Sequence, residues 1–346
     1  MSKKFNIVQI GLGPMGRIIA DLLLKRKNIN FVSAIDIDPG LIGKKLNELL
    51  ESKYKNDILV ESDLVQAFKS NPVDLVIIAT SSSLASVAPL IKESINLGAH
   101  VISICEELSY PFQNSPKLSK ELDSLAKENN VSVLGTGINP GYLMDLLPIL
   151  ITAPCQSVKS IKVTRMMNSS KRRVPFQKKI GTGLTVEEFH EKISNKEITG
   201  HIGLTQSIQM IIAALGLDYD EIFEYPPKEV VAEKDFTTSY GETVLKGYVR
   251  GLQSTAIAKK GEVEIIVLDF IAFSGDHEEY DSILIEGIPD IKQKIIGGVH
   301  GDLGTSAIVV NLIPTVINAK AGLLTMKDIP VPCNTENIWK KKNNNN

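Results

Sequence analysis

The sequence predicts an α/β protein of two domains, a doubly wound parallel sheet at the N-terminus followed by a second domain of α+β character. Three observations lead to this. Its 346 residues exceed what one core of roughly 100–200 residues accommodates. Up to about residue 134, short apolar runs alternate with stretches of helical period, the pattern of repeated strand-helix units. Beyond residue 157 the apolar runs lengthen and alternate, the pattern of half-buried strands.

The first strand is predicted over Phe5–Ile10 and the first helix over Pro14–Lys25, whose apolar residues Ile18, Ile19, Leu22 and Leu23 share one face. Between them stands Gly11-Leu12-Gly13-Pro14-Met15-Gly16, the GxGxxG of a Rossmann dinucleotide fold in its proper strand-to-helix context. Gly11 permits the tight turn, Gly13 admits a pyrophosphate close to the backbone, and Gly16 lets helix pack on strand. The N–H groups around Pro14 and Met15 face the phosphate charge. A second strand, residues 30–35, ends at Asp36, twenty residues past Gly16, where this fold places the carboxylate that binds the adenosine ribose. With no arginine following Asp36 and a further acid at Asp38, NAD is favoured over NADP, although Lys44 and Lys45 keep NADP open.

Strands at residues 73–79, 101–105 and 131–134 and helices at 85–96 and 115–129 continue the alternation. Ligands of such sheets lie beyond the carboxyl ends of the strands. There the sequence offers Thr80, Ser81 and Ser82, as cofactor contacts or as caps of the next helix. It then offers Glu106 and Glu107, adjacent carboxylates whose repulsion raises one pKa toward the range useful for acid-base work, or which simply form a solvated acidic loop. Last comes the loop of residues 135–141, read as opening directly onto a helix over 142–150. Its Asn139 suits a nicotinamide amide, or equally an Asn-Pro-Gly turn.

Domain boundaries are expected at 1–148 and 149–302, with a long apolar helix over 303–321 packing back on the first domain. The second domain should carry strands at residues 160–167, 229–233, 244–252, 262–273 and 280–286, in a mostly antiparallel sheet, and helices at 186–193 and 201–215. Arg165 at a strand end offers two-pronged binding of a substrate carboxylate, or an ordinary ion pair. His201, Thr205 and Gln206 lie together near a helix start, and His300, Asp302 and Thr305 in a glycine-rich lead into the last helix, where an anion meets unpaired N–H groups.

A net charge of -2 and short, scattered basic runs exclude a nucleic-acid surface. The three cysteines form neither CxxC pairs nor, with histidines, a metal-ligand set, which fits a reducing cytoplasm and no metal. No apolar run reaches the ~18 residues of a membrane span. Residues 340–346 read as a frayed tail, and the open sheet of the second domain makes a homodimer the default.

With these residues in view, the chain resembles 2,4-diaminopentanoate dehydrogenase and its amine-dehydrogenase relatives, within the broader dihydrodipicolinate-reductase-like set. The likeness rests on residues 11–16, on Cys105-Glu106-Glu107-Leu108-Ser109-Tyr110-Pro111 and Gly137-Ile138-Asn139-Pro140-Gly141, on Gly200-His201-Ile202-Gly203, on residues 297–302, and on Asn311-Leu312-Ile313-Pro314. It implies an NAD(P)-dependent oxidation at the carbon bearing the 4-amino group, hydrolysis of the imine and release of ammonia, in ornithine degradation. Glu107 is then the expected acid-base residue and Glu106 the second choice. The absence of lysine at this position speaks against sugar dehydrogenases with a Glu-Lys-Pro segment. The alternatives are a dihydrodipicolinate-reductase-like imine reductase, an enzyme of simple amines, and a dinucleotide sensor without turnover.

Overall fold

The computed structural model describes residues 4–50, 54, 56–172 and 174–336. They fall into two compact units, the first formed by Met1–Tyr142 with His300–Asn346, the second by Leu143–Val299. The tail expected at 340–346 lies outside the described residues.

In chain order the first unit contains β1 Phe5–Ile10, α1 Pro14–Lys25, β2 Ile29–Ile35, α2 Leu46–Leu49, β3 Val60–Glu61, α3 Leu64–Ser70, β4 Leu75–Ile78, α4 Leu84–Asn96, β5 His100–Ser103, α5 Pro116–Glu128 and β6 Ser132–Gly135. The second unit follows with α6 Leu146–Ile151, β7 Ser157–Asn168, α7 Val174–Lys179, α8 Val186–Ser194, α9 Leu204–Leu215, β8 Glu221–Glu224, β9 Lys228–Val231, β10 Phe236–Thr237, β11 Thr243–Val244, β12 Val249–Lys260, β13 Val263–Phe273, β14 Tyr280–Ile288 and β15 Ile291–Ile296. The chain then returns to the first unit as α10 Gly301–Ile317 and β16 Gly322–Leu324.

The first unit is the expected doubly wound sheet, all parallel, in the order β3-β2-β1-β4-β5-β6-β16. Its central strand β4 is apolar at every position, and all four residues are inaccessible, as a strand covered on both faces must be. Helix α1 starts with Pro14, whose missing N–H costs nothing there, and buries Gly16, Ile19, Ala20 and Leu23. It packs against α10, as α4 packs against α5.

The second unit is a mixed sheet of order β15-β14-β7-β13-β12-β8, antiparallel except where β7 runs parallel to β13. Beneath it α9 packs on β12 and α6 on α9.

Several expected boundaries shift. The helix read at 142–150 begins at Leu146, because Asp145 caps it by accepting the Leu146 N–H at 2.6 Å. Asp145 also accepts the Ser207 hydroxyl of α9 at 2.9 Å, so this helix belongs to the second unit, and the division falls after Tyr142 rather than after residue 148. The 135–141 loop therefore runs into a turn, and the first N–H of the helix that follows, that of Leu146, is taken by Asp145. The helix read from 201 starts at Leu204 because Gly203, at φ 106°, turns the chain left-handed. In the strand read at 244–252, a short hairpin strand ends at Val244 and β12 begins at Val249. The last helix runs over 301–317 instead of 303–321. The short elements α2, α3, β3 and β16, and the edge strand β15, carry too little pattern to be read from sequence.

Candidate functional site

The glycine loop fits a dinucleotide on grounds internal to the structure. Gly11 has φ +96°, and a Cβ on it would lie 2.4 Å from the Ala79 carbonyl oxygen; one on Gly16 would lie 2.0 Å from that of Gly11. These two glycines are demanded by the protein's own packing. At Gly13 a Cβ would meet nothing within 4 Å, so there the open space is left for a ligand. Asp36 accepts the Leu12 N–H at 2.7 Å through Oδ2 and the Asp38 N–H at 3.0 Å through Oδ1, which fixes its carboxylate beside the loop. A cavity of about 380 Å³ adjoins it, lined by Gly11, Asp36, Thr80 and Ser81 and by two further acids, Asp63 and Glu93.

The loops after β4 and β5 are laced together. The Ser82 carbonyl accepts the Cys105 thiol at 3.0 Å and the Glu107 N–H at 3.3 Å. Ser83 occupies the N-cap position of α4 without capping it; Glu107 Oε2 accepts the Leu84 N–H at 2.7 Å instead, from 23 residues along the chain. Neither a hydroxyl cap nor a purely solvated acidic loop describes this arrangement. Glu106 and Glu107 begin a single 3-10 turn, Glu106–Ser109, that rests on β6. The contact is close only because Gly135 has no side chain, for a Cβ there would lie 2.4 Å from the Leu108 carbonyl carbon. Burial, aided by the neighbouring Glu106 and Glu107 charges, pushes the Cys105 thiol up to about 12, so it is no nucleophile.

Asn139 precedes Pro140 in a cis peptide at the turn of the 135–141 loop. Thr305 holds this loop to α10, its Oγ1 accepting the Ile138 N–H at 3.2 Å. His300 is the N-cap of α10, with Nδ1 accepting from Leu303 N at 3.4 Å, and Asp302 lies in the helix's first turn. The unpaired N–H groups expected ahead of this helix are thus partly satisfied by His300.

In the second unit Arg165 is 3% exposed, donates from Nη2 to the Val299 carbonyl at 2.9 Å and lies 3.9 Å from Asp281. Of its two sequence readings, the buried ion pair is the one the geometry favours. Gln206 is buried in the first turn of α9 and accepts the Thr205 hydroxyl at 2.9 Å. His201 stacks on Phe270 at 4.2 Å. Burial foremost, then the Arg165 and Lys179 charges, bring its pKa down from 6.5 to about 3. The folded state therefore binds fewer protons than the unfolded one below pH 6.5, and stability present above that pH is lost as pH falls toward 3. Denaturant unfolding across this window should show a slope of up to ~1.4 kcal/mol per pH unit from this group. His201→Phe, which keeps a stacking ring, should flatten it.

Comparison with known proteins gives these residues a context. The 2,4-diaminopentanoate dehydrogenase C-terminal domain model matches residues 142–345. A 2,4-diaminopentanoate dehydrogenase of Acetoanaerobium sticklandii is 33% identical over 342 residues, covering 95% of this chain and 94% of the relative. The chain belongs to the 2,4-diaminopentanoate dehydrogenase family. Among solved structures, the amine dehydrogenase of Mycobacterium smegmatis superposes with TM-score 0.82 at 23% identity, over 97% of this chain and 98% of that one. GenD2 from gentamicin A biosynthesis, solved in complex with NAD, matches at TM-score 0.51 and 13% identity, over 85% and 73%. Both carry the same two-part fold. The family's domain model covers the second unit and α10, which lie outside the glycine fingerprint.

Within this family member, sequence reasoning missed Gln9, Asp63 and Glu93. Only Gln9 left a signal, as a polar residue inside an otherwise apolar strand. The others are placed by tertiary packing alone. Among the described residues no group of three or more His, Cys, Asp or Glu side chains is arranged to hold a metal ion, and no helix is long and apolar enough to cross a membrane.

Proposed function

We propose that this protein catalyses the NAD(P)-dependent oxidative deamination of 2,4-diaminopentanoate to 2-amino-4-oxopentanoate and ammonia, in the degradation of ornithine. The observation that carries this reading is the 33% identity to a 2,4-diaminopentanoate dehydrogenase sustained over 95% of the chain. The bound dinucleotide would supply the hydride acceptor. The protein's own part is to hold the amine-bearing carbon in reach, to manage the protons of the departing amine and the attacking water, and to limit access of bulk water.

Gly11, Gly13, Pro14, Met15 and Gly16 would take the pyrophosphate, Asp36 the ribose, and Thr80, Ser81, Ser82 and Asn139 the nicotinamide half. For the proton transfers we favour Glu107. Its Oε2 accepts the Leu84 N–H, which fixes the carboxylate just beyond the end of β5. Glu106 is the second choice. On the substrate side are His201, Gln206, His300 and Asp302, with Arg165 and Thr305 acting through the Val299 carbonyl and Ile138 N–H that they hold.

NAD is the preferred cofactor in this reading, because the cavity beside Asp36 adds Asp63 and Glu93, and its lining includes no lysine or arginine to balance a 2′-phosphate. Asp36→Ala should weaken NAD binding about tenfold or more, the effect of a lost charge-assisted bond, and raise the NADP to NAD ratio of kcat/KM. Titration of both cofactors checks this. A cytoplasmic homodimer completes the reading, with exposed Phe223, Leu284 and Ile296 on strands of the second unit's sheet; light scattering reports its mass.

The deciding experiment mixes the protein and NAD or NADP with 2,4-diaminopentanoate, ornithine, 2-aminopentane or meso-diaminopimelate, following reduced cofactor and ammonia. Turnover confined to the first compound is the expected result. Turnover of 2-aminopentane alone makes it an enzyme of simple amines, and cofactor binding without any turnover makes it a sensor.

A further inference from the structure

Gln9 lies near the end of β1 and is fully buried. Its Nε2 donates to two carbonyls of the glycine loop, Gly11 O at 2.9 Å and Gly16 O at 2.7 Å, so one amide clasps the first and last glycines of the fingerprint. The amide's own acceptor, Oε1, has no partner among the described residues. A buried acceptor left unsatisfied is costly, so what retains the group is its pair of donors.

The Gly11–Leu12 peptide is held at both ends. Its carbonyl is taken by Gln9, and its N–H, pointing the other way across the trans peptide plane, is taken by Asp36 Oδ2 at 2.7 Å. Rotation of this peptide would release both partners together. The orientation of the Asp36 carboxylate and the path of the loop past open Gly13 thus depend on a side chain that the cavity lining does not include.

We propose that Gln9 is the positioning residue of the cofactor loop, fixing the Gly11–Leu12 peptide so that Asp36 and the loop N–H groups stand ready before the dinucleotide arrives. The proposal rests on the reading that this loop holds a nicotinamide dinucleotide. It separates two substitutions of similar size. Gln9→Met fills the space but donates nothing. Gln9→Glu faces the two carbonyls with acceptors when ionised and regains one donor when protonated.

The test is NADH titration by fluorescence across pH 5.5–8.5 (approximate limits set by the carboxylic acid's need to titrate when buried), with melting of the cofactor-free proteins and amine KM and kcat at saturating cofactor. For Gln9→Met we expect a Kd raised about tenfold at every pH, an intact cofactor-free fold, and an amine KM close to that of the unaltered protein. For Gln9→Glu we expect a similarly raised Kd at the alkaline end that recovers as pH falls. A Kd within about twofold of the parent in both variants, or a Gln9→Glu profile as flat as that of Gln9→Met, overturns the proposal. Loss of the fold in Gln9→Met also overturns it, by assigning Gln9 to stability. If the unaltered protein binds neither NADH nor NADPH, the dinucleotide reading itself fails.

Discussion

Replacing Glu107 by glutamine should lower kcat by about 10²–10⁴-fold, the range for loss of a general acid-base group, while leaving NADH affinity and the fold nearly intact. Fold is preserved because the glutamine amide oxygen can still accept the Leu84 N–H that Glu107 Oε2 accepts now. Only the ability to take and return a proton is removed. Glu106→Gln, one residue earlier in the same 3-10 turn, should have a smaller effect. Steady-state kinetics of the two variants decides between them. If the larger loss appears at Glu106, the roles exchange and Glu107 becomes the cap of α4 alone.

Gly135→Ala should act on the same turn from below. Its new methyl would lie 2.4 Å from the Leu108 carbonyl carbon and 2.7 Å from Ser109 N, both backbone atoms that cannot rotate aside. The 3-10 turn must lift, with Glu106 and Glu107 on it. Such overpacking costs about 1–3 kcal/mol of stability. Displacing reacting groups by an ångström lowers turnover about 10²-fold. Because Gly135 does not line the cavity beside Asp36, NADH binding should change little. Parallel measurement of kcat and cofactor Kd tests the split, and an equal loss in both would show that the two loops move as one.

The parts of the molecule legible in the sequence are those whose pattern is local. Strand β4, short and apolar at every position between turn signals, reads as a buried parallel strand, and the glycines of the first turn are spaced by the covalent chain itself. The pairing of Glu107 with Leu84, the clasp of Gln9 on Gly11 and Gly16, and the tie between Thr305 and Ile138 join residues by tertiary packing, or by a turn whose shape is set only after folding. No periodicity reports them. Asp145 shows the same limit: it reads as one acid within a helix, and only its bonds to Leu146 and Ser207 reveal a cap. Arg165 carried two readings that sequence could not rank, and burial beside Asp281 ranks them.

The return of the chain to the first unit has a consequence for synthesis. Strand β16 pairs with β6 across some 190 positions of sequence, and the Ser132 hydroxyl is held by the Val316 carbonyl at 2.7 Å. While the ribosome is still making residues 143–299, β6 is the bare rim of a six-stranded sheet and α1 lacks α10, the helix it packs against. An unpaired parallel rim is a template for other chains. The nascent N-terminal unit therefore keeps this rim exposed until residues 300–324, which carry α10 and β16, have been made, and a chain truncated before residue 300 should yield aggregate rather than a free-standing nucleotide module.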